Sequence, residues 1–170
     1  MPQDPAAARA LMQRAATHGL IAAQVDAGWL CEYAHGATPD YRCARQWYAR
    51  AARFGDSVGA FDLGTLYYQG KGPPQDYVAA RYWFDRAAEQ GYPGAQYNLG
   101  VMALGQGQDV DPVSAWQWFR LVRLAHYPGA TESLHSVTVL LSSYQLAQAA
   151  LRVRRWQATH LPRRANLPAQ

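Results

Sequence analysis

The sequence is poor in the residues that usually staple, anchor or charge a small protein. Its 170 residues hold only two cysteines, Cys31 and Cys43. Two are too few for a disulfide framework, and the pair has no metal-ligand spacing. Two buried thiols are the expectation; a disulfide would require an oxidising compartment. No run of about 18 apolar residues occurs, which excludes a membrane-spanning helix. The opening MPQDPAAARALMQ carries Asp4, two prolines and no long apolar stretch. It predicts no secretory signal, and hence a cytoplasmic protein without membrane insertion. Acids are few: Asp and Glu total 12 against 16 Lys and Arg, for a net charge of +4. Much of the excess sits late, at Arg152, Arg154, Arg155, Arg163 and Arg164. A balance this mild does not by itself argue for nucleic acid. With 49% hydrophobic residues, the chain can bury a core.

Catalytic signatures are missing as well. The five histidines, His18, His35, His126, His135 and His160, never fall at HxxxH or HExxH spacing. There is no GxSxG, no phosphate-binding P-loop and no GxGxxG. Glu32 and Asp62 lie in different units of the pattern described next, with nothing to force them together. Asp26, Asp62 and Asn98 share one register and read as a solvated face. The expectation is a protein that is not an enzyme and has no catalytic residue, cofactor or metal.

What is present is repetition, which has to be sought before any other pattern. Gly19, Gly55 and Gly91 are spaced by 36 residues, as are Gly28, Gly64 and Gly100. Asp4, Asp40 and Asp76 keep the same interval, and so do Ala16, Ala52 and Ala88. Trp47 and Trp83 are 36 apart, and Trp118 follows at 35, so the third unit has lost one residue. Each unit divides into two helices, A and B. In the central one, Gly59, Leu63, Gly64 and Tyr67 step by three and four over a helix from Ser57 to Gln69. Gly70-Lys71-Gly72-Pro73-Pro74 ends it. Asp76 then caps a second helix, from Tyr77 to Gln90. Gly91 fits the left-handed position after that helix. The template predicts a lone B helix over Pro5–Thr17. Helix pairs follow at Ile21–Tyr33 with Tyr41–Arg53, and at Pro93–Leu104 with Pro112–Ala125. A last pair runs Ala130–Leu141 with Ser143–Gln157. In domain terms this is one array over residues 1–160, with pairs at 21–54, 57–90 and 93–125 and a terminal pair at 130–157. A frayed tail is expected over 161–170. Gly in a helix interior costs roughly 1 kcal/mol relative to Ala. Gly28, Gly64 and Gly100 therefore imply close approach by a neighbouring helix, with Ala51/Ala52 and Ala87/Ala88 as the expected facing residues. Trp47, Trp83, Trp118, Tyr48, Phe84, Phe119 and Tyr67 are expected in the core.

The stretch from Ala60 to Gly91, with Leu63-Gly64, Tyr67, Asp76, Ala80, Trp83-Phe84, Ala87-Ala88 and Gly91, resembles the Sel-1-like repeat, a relative of the tetratricopeptide repeat. The unit from Ala95 follows it less closely, with Ala103 at the Tyr position and Val122-Arg123 replacing Ala-Ala. The resemblance covers residues 4 to 157. It implies an all-α fold, a right-handed α/α solenoid (superhelix) of Sel-1-like, tetratricopeptide-like helix pairs with a C-terminal capping helix. It also implies a scaffold or adaptor that binds a protein or peptide partner in a concave groove lined by the A helices. The matching positions here are Val25, Trp29 and Glu32; Phe61, Thr65 and Tyr68; and Tyr97, Val101 and Leu104. The set is unusually apolar for a groove open to water. The alternative is a tightly curved array in which these side chains contact one another. A narrower version of the function is an immunity or inhibitor protein that neutralises a toxic enzyme by binding it. A hydrolase or a nucleic-acid binder are the competing classes. The array is expected to be a monomer or weak dimer that binds no nucleic acid.

Overall fold

The computed structural model describes residues 16–17, 19–33, 38–105 and 110–160. The structured elements among them are eight helices: α1 (Ile21–Tyr33), α2 (Tyr41–Arg53), α3 (Ser57–Gln69), α4 (Tyr77–Glu89), α5 (Pro93–Met102), α6 (Pro112–Leu124), α7 (Ala130–Thr138) and α8 (Ser143–His160). Odd-numbered helices are the A helices and even-numbered ones the B helices. Of the lone B helix expected over 5–17, only Ala16 and Thr17 fall among the described residues, and both are helical. The tail expected over 161–170 lies outside them.

The first three helices run over the ranges that the periodicity predicts. α5 and α7 stop short of Leu104 and Leu141 because their last turns tighten. Leu104 and Gly105 donate backbone N–H bonds to Val101 and Met102, at 3.0 and 3.1 Å. Leu140 and Leu141 donate to Val137 and Thr138, at 3.0 and 3.3 Å. These are i→i+3 bonds, the usual way a helix end satisfies its loose groups. α8 continues to His160, past the expected stop at Gln157.

The B helices start as the aspartates predict. The carboxylates of Asp40, Asp76 and Asp111 accept from the backbone N–H of Cys43, Ala79 and Ser114, at 3.0, 2.9 and 3.0 Å. Each satisfies a first-turn donor that the helix itself cannot. A fourth cap, Asp56 accepting from Gly59 N–H at 2.7 Å, opens an A helix and was not singled out by the sequence pattern.

The chain divides into two compact units, Met1–Ala88 and Glu89–Gln170. In the first, Tyr48, Leu63, Leu66 and Phe84 are buried among alanines of α2, α3 and α4. In the second, Phe119, Val122 and Val137 are buried with Ala115, Ala130 and Ala149.

Packing corrects three expectations. Trp47, Trp83 and Trp118 are only half-buried, as is Tyr67. The neighbours Tyr48, Phe84 and Phe119 are the enclosed rings, at 0%, 0% and 1% exposure. Successive residues on a helix point about 100° apart, so only one of each aromatic pair can face its A helix squarely. The repeat glycines show which one does. A Cβ at Gly28, Gly64 or Gly100 would lie 2.5, 2.8 or 2.6 Å from the ring of Tyr48, Phe84 or Phe119. The close approach is therefore A-helix backbone against a B-helix ring, and not against the Ala-Ala pair. Ala51 instead meets Gly59 at the start of the next repeat, where an added Cβ would stand 2.7 Å from the Ala51 Cβ.

The third correction concerns the cysteines. Cys31, in the last turn of α1, and Cys43, in the first turn of α2, form a disulfide with a Cα–Cα separation of 5.8 Å. Twelve residues apart, they are brought together because α1 and α2 pack against each other, with Asp40 N–H donating to the Cys31 carbonyl at 2.8 Å. The expectation of two free thiols does not hold in this structure.

Candidate partner-binding surface

Eight of the nine residues marked by sequence lie on A helices, while Leu104 lies just past the end of α5, and the nine differ widely in access to solvent. On α1, Trp29 is 52% exposed and its ring lies 5.0 Å from that of Tyr33, itself 52% exposed. The spacing of four places both rings on one helix face. Tyr33 was missed by the repeat register; an aromatic pair at i and i+4 was the available signal. Val25 is half-buried one turn earlier.

On α3, Phe61, Thr65 and Tyr68 are all half-buried. The Phe61 ring leans on Phe84 at 5.8 Å, while Tyr68 packs on Tyr77 at 5.5 Å and on Phe84 at 6.3 Å. The Thr65 hydroxyl turns inward and donates to the Phe61 carbonyl at 3.0 Å. These three side chains spend part of their surface on the packing of their own unit. α1 and α3 touch, so their outer faces adjoin.

In the second unit, Tyr97 on α5 packs between Phe119 at 5.4 Å and Tyr127 at 5.2 Å. Its hydroxyl shares a hydrogen bond with Ser133 Oγ at 3.1 Å. Val101 packs against the same core, and Leu104 is 38% exposed at the helix end.

Glu32 departs most from its expected place. It is only 7% exposed, and its carboxylate accepts a hydrogen bond from the Tyr48 hydroxyl at 3.2 Å. It is held inside the first unit, so it does not face the solvent as a groove residue would. Asp62 is close enough for the Glu32 charge to act on it. Burial, then the charges of Glu32 and Asp56, push its carboxyl up to about 7. Two carboxylates sharing a half-buried site cannot both ionise cheaply, so one retains its proton near neutrality. The Tyr48 hydroxyl is pushed far above its ordinary value, chiefly by burial and then by the same two acids. Two expectations thus change. The acids of different repeats do meet, because α1 and α3 pack side by side. And Asp62 does not share the solvated state of Asp26, which is exposed at the same register. The Tyr48 hydroxyl thus satisfies the buried Glu32 side chain, while Asp62 holds its proton up to about pH 7. Among the described residues, no group of three or more His, Cys, Asp or Glu could hold a metal ion. No helix among them is long and apolar enough to cross a membrane.

A family model for the Sel1 repeat matches residues 1–20, 21–56, 57–92 and 93–121. Two solved structures share the fold. One is a protective antigen present in uropathogenic Escherichia coli strains that displays an SLR fold, 27% identical, with a TM-score of 0.82 over 96% of this chain and 37% of that one. The other is a Sel1 repeat protein from Oxalobacter formigenes, 27% identical, with a TM-score of 0.73 over 94% of this chain and 66% of that one. The chain therefore spans less than two thirds of either. No curated protein matches it.

Proposed function

The chain belongs to the Sel1 repeat family, and from that membership we propose that it is an adaptor gripping a protein partner through the outer faces of its A helices. Proteins of this family are generally interaction scaffolds, and the fold is typically non-enzymatic. The observation that carries the reading is the Trp29–Tyr33 pair, two large aromatic rings each half open to solvent on α1. Exposed aromatics grouped on one face are the commonest anchors of protein interfaces, since they bury much area with little side-chain entropy to lose. Val25 on α1 and Phe61 and Tyr68 on the adjoining α3 extend an apolar surface around them. Leu104 offers a smaller exposed apolar contact just past α5 in the second unit.

The test is co-purification of the full chain from its source cells, comparing wild type with Trp29→Ala and with Tyr144→Ala. Tyr144 is equally prominent, at 73% exposure, but sits on α8. The partner should be lost from Trp29→Ala, retained by Tyr144→Ala, and helicity should be unchanged in both. A partner that survives Trp29→Ala, or is lost equally from both variants, overturns the assignment. Trp29 is a cleaner probe than Phe61 or Tyr68, whose rings also support Phe84.

A further inference from the structure

The second unit carries a cleft on the B-helix side, apart from the A-helix residues discussed above. It measures about 470 Å³ and is lined by α6, α7 and α8. Its floor is apolar: Trp116 from α6, Leu134 from α7 and Val153 from α8. Its rim is cationic: Arg120 and Arg123 from α6 and Arg154 from α8. No acidic residue lines it. One of the three cations is incompletely satisfied, because Arg120 Nη1 is shielded from solvent and has no hydrogen-bond partner. Leaving a charged donor buried and unbonded is costly.

The local charge balance sharpens this. Between residues 110 and 160 the chain has Arg120, Arg123, Arg152, Arg154 and Arg155 against only Asp111 and Glu132. Asp111 is already engaged, capping α6 and lying 4.0 Å from Arg152. The floor is also held in place. Trp116 Nε1 donates to Thr138 Oγ1 at 2.9 Å, and that hydroxyl donates to the Leu134 carbonyl at 2.6 Å. A second cavity of about 260 Å³ shares Leu124 and Gln157 with the first, so a furrow continues along α6 and α8.

We propose that this cleft binds a short acidic peptide segment of a partner protein, with a carboxylate on the Arg120–Arg123–Arg154 rim and an adjoining aliphatic side chain on the Trp116 floor. Guanidinium groups suit carboxylates because their planar donors pair with both oxygens. An apolar floor beneath a cationic rim selects acid and aliphatic side by side, as in a peptide. A nucleic-acid strand would call for a longer basic track with stacking rings. The chain's own last ten residues, LPRRANLPAQ, carry two Arg and no acidic side chain, so charge disfavours them as the occupant.

The site stands apart from the A-helix surface, and either can fail without the other. The experiment is 1H–15N NMR of the full chain, following indole and guanidinium N–H signals. The probes are the blocked peptide acetyl-ELDLE-amide, its neutral counterpart acetyl-QLNLQ-amide, and a five-nucleotide oligothymidylate. The acidic peptide should shift the Trp116 indole and the Arg120, Arg123 and Arg154 signals saturably, and the neutral one should not. Arg154→Gln, at an exposed position, should weaken binding by about tenfold or more with unchanged helicity and melting temperature. No saturable shift, equal shifts from the neutral peptide, or an Arg154→Gln variant that binds as wild type would overturn the proposal. Tighter binding of the oligonucleotide than of the acidic peptide at the same signals would overturn it in favour of nucleic acid.

Discussion

Asp62 is where burial and charge pull against each other most plainly. Folded, its carboxyl is raised to about 7; its ordinary value is 3.8. The folded state therefore holds the proton more tightly than the unfolded one. The sign follows from proton linkage: this contribution to stability is complete below about pH 4, declines as the pH rises through 7, and is flat above. Asp62→Asn keeps the neutral form at every pH. It should melt close to wild type at pH 4 and higher at pH 8, by on the order of 10 °C. Parallel melting profiles for the two proteins would sink this account. Gly64 makes a second residue-scale case. Alanine there would gain about 1 kcal/mol of helix propensity. Its Cβ would also stand 2.8 Å from the Phe84 ring and 3.2 Å from the Ala80 carbonyl oxygen. Phe84 is fully enclosed and cannot swing aside. Overpacking a filled core costs roughly 1–3 kcal/mol, so Gly64→Ala should be destabilising on balance. An unchanged or raised urea midpoint would refute the glycine–ring contact as the reason for that residue.

The ends of the B helices show one rule and one exception. After α2 and α4 the chain turns through Gly55 and Gly91, at φ 87° and 81°. After α6 the corresponding residue is His126, which holds φ 56° with a side chain present. Left-handed backbone costs an L-residue about 1–2 kcal/mol. Glycine avoids that but has more unfolded-state entropy to lose. His126→Gly should therefore stabilise by about 0.5 kcal/mol, a rise of ~2 °C by calorimetry. A fall in the melting temperature would mean that the His126 side chain does more than terminate a helix. The helix ranges themselves were legible in the sequence, because caps and apolar periodicity are local. The choice between Trp47 and Tyr48 for the enclosed position was not. Both are large and apolar, and only the direction of the facing glycine separates them.

In a repeat array, stability is close to a sum of local terms. The two compact units each have their own buried rings, Tyr48 and Phe84 in one and Phe119 in the other. Gly100→Ala, which would press a Cβ to 2.6 Å from Phe119, should loosen the second unit first. Hydrogen exchange should then quicken in α5–α7 while the amides of α1–α3 keep their protection. Uniform quickening along the chain would show a single cooperative block instead. The all-α repeat fold, the aspartates that cap the B helices and the place of the tight glycines followed from spacing. Each depends on residues within one turn or one repeat, and the sequence states that distance directly. The candidate surfaces were legible only in part. Trp29 is open on the A-helix face, but Glu32 faces Tyr48, and Phe61 and Tyr68 share their rings with Phe84. The Glu32–Asp62 cluster, the Cys31–Cys43 bridge and the arginine-rimmed cleft were decided by the tertiary structure. All three join side chains from different helices, and what such groups meet depends on how the helices turn about their axes once packed. A repeat pattern specifies that two helices pair; it does not specify which outward residues their rotation encloses and which it leaves in water.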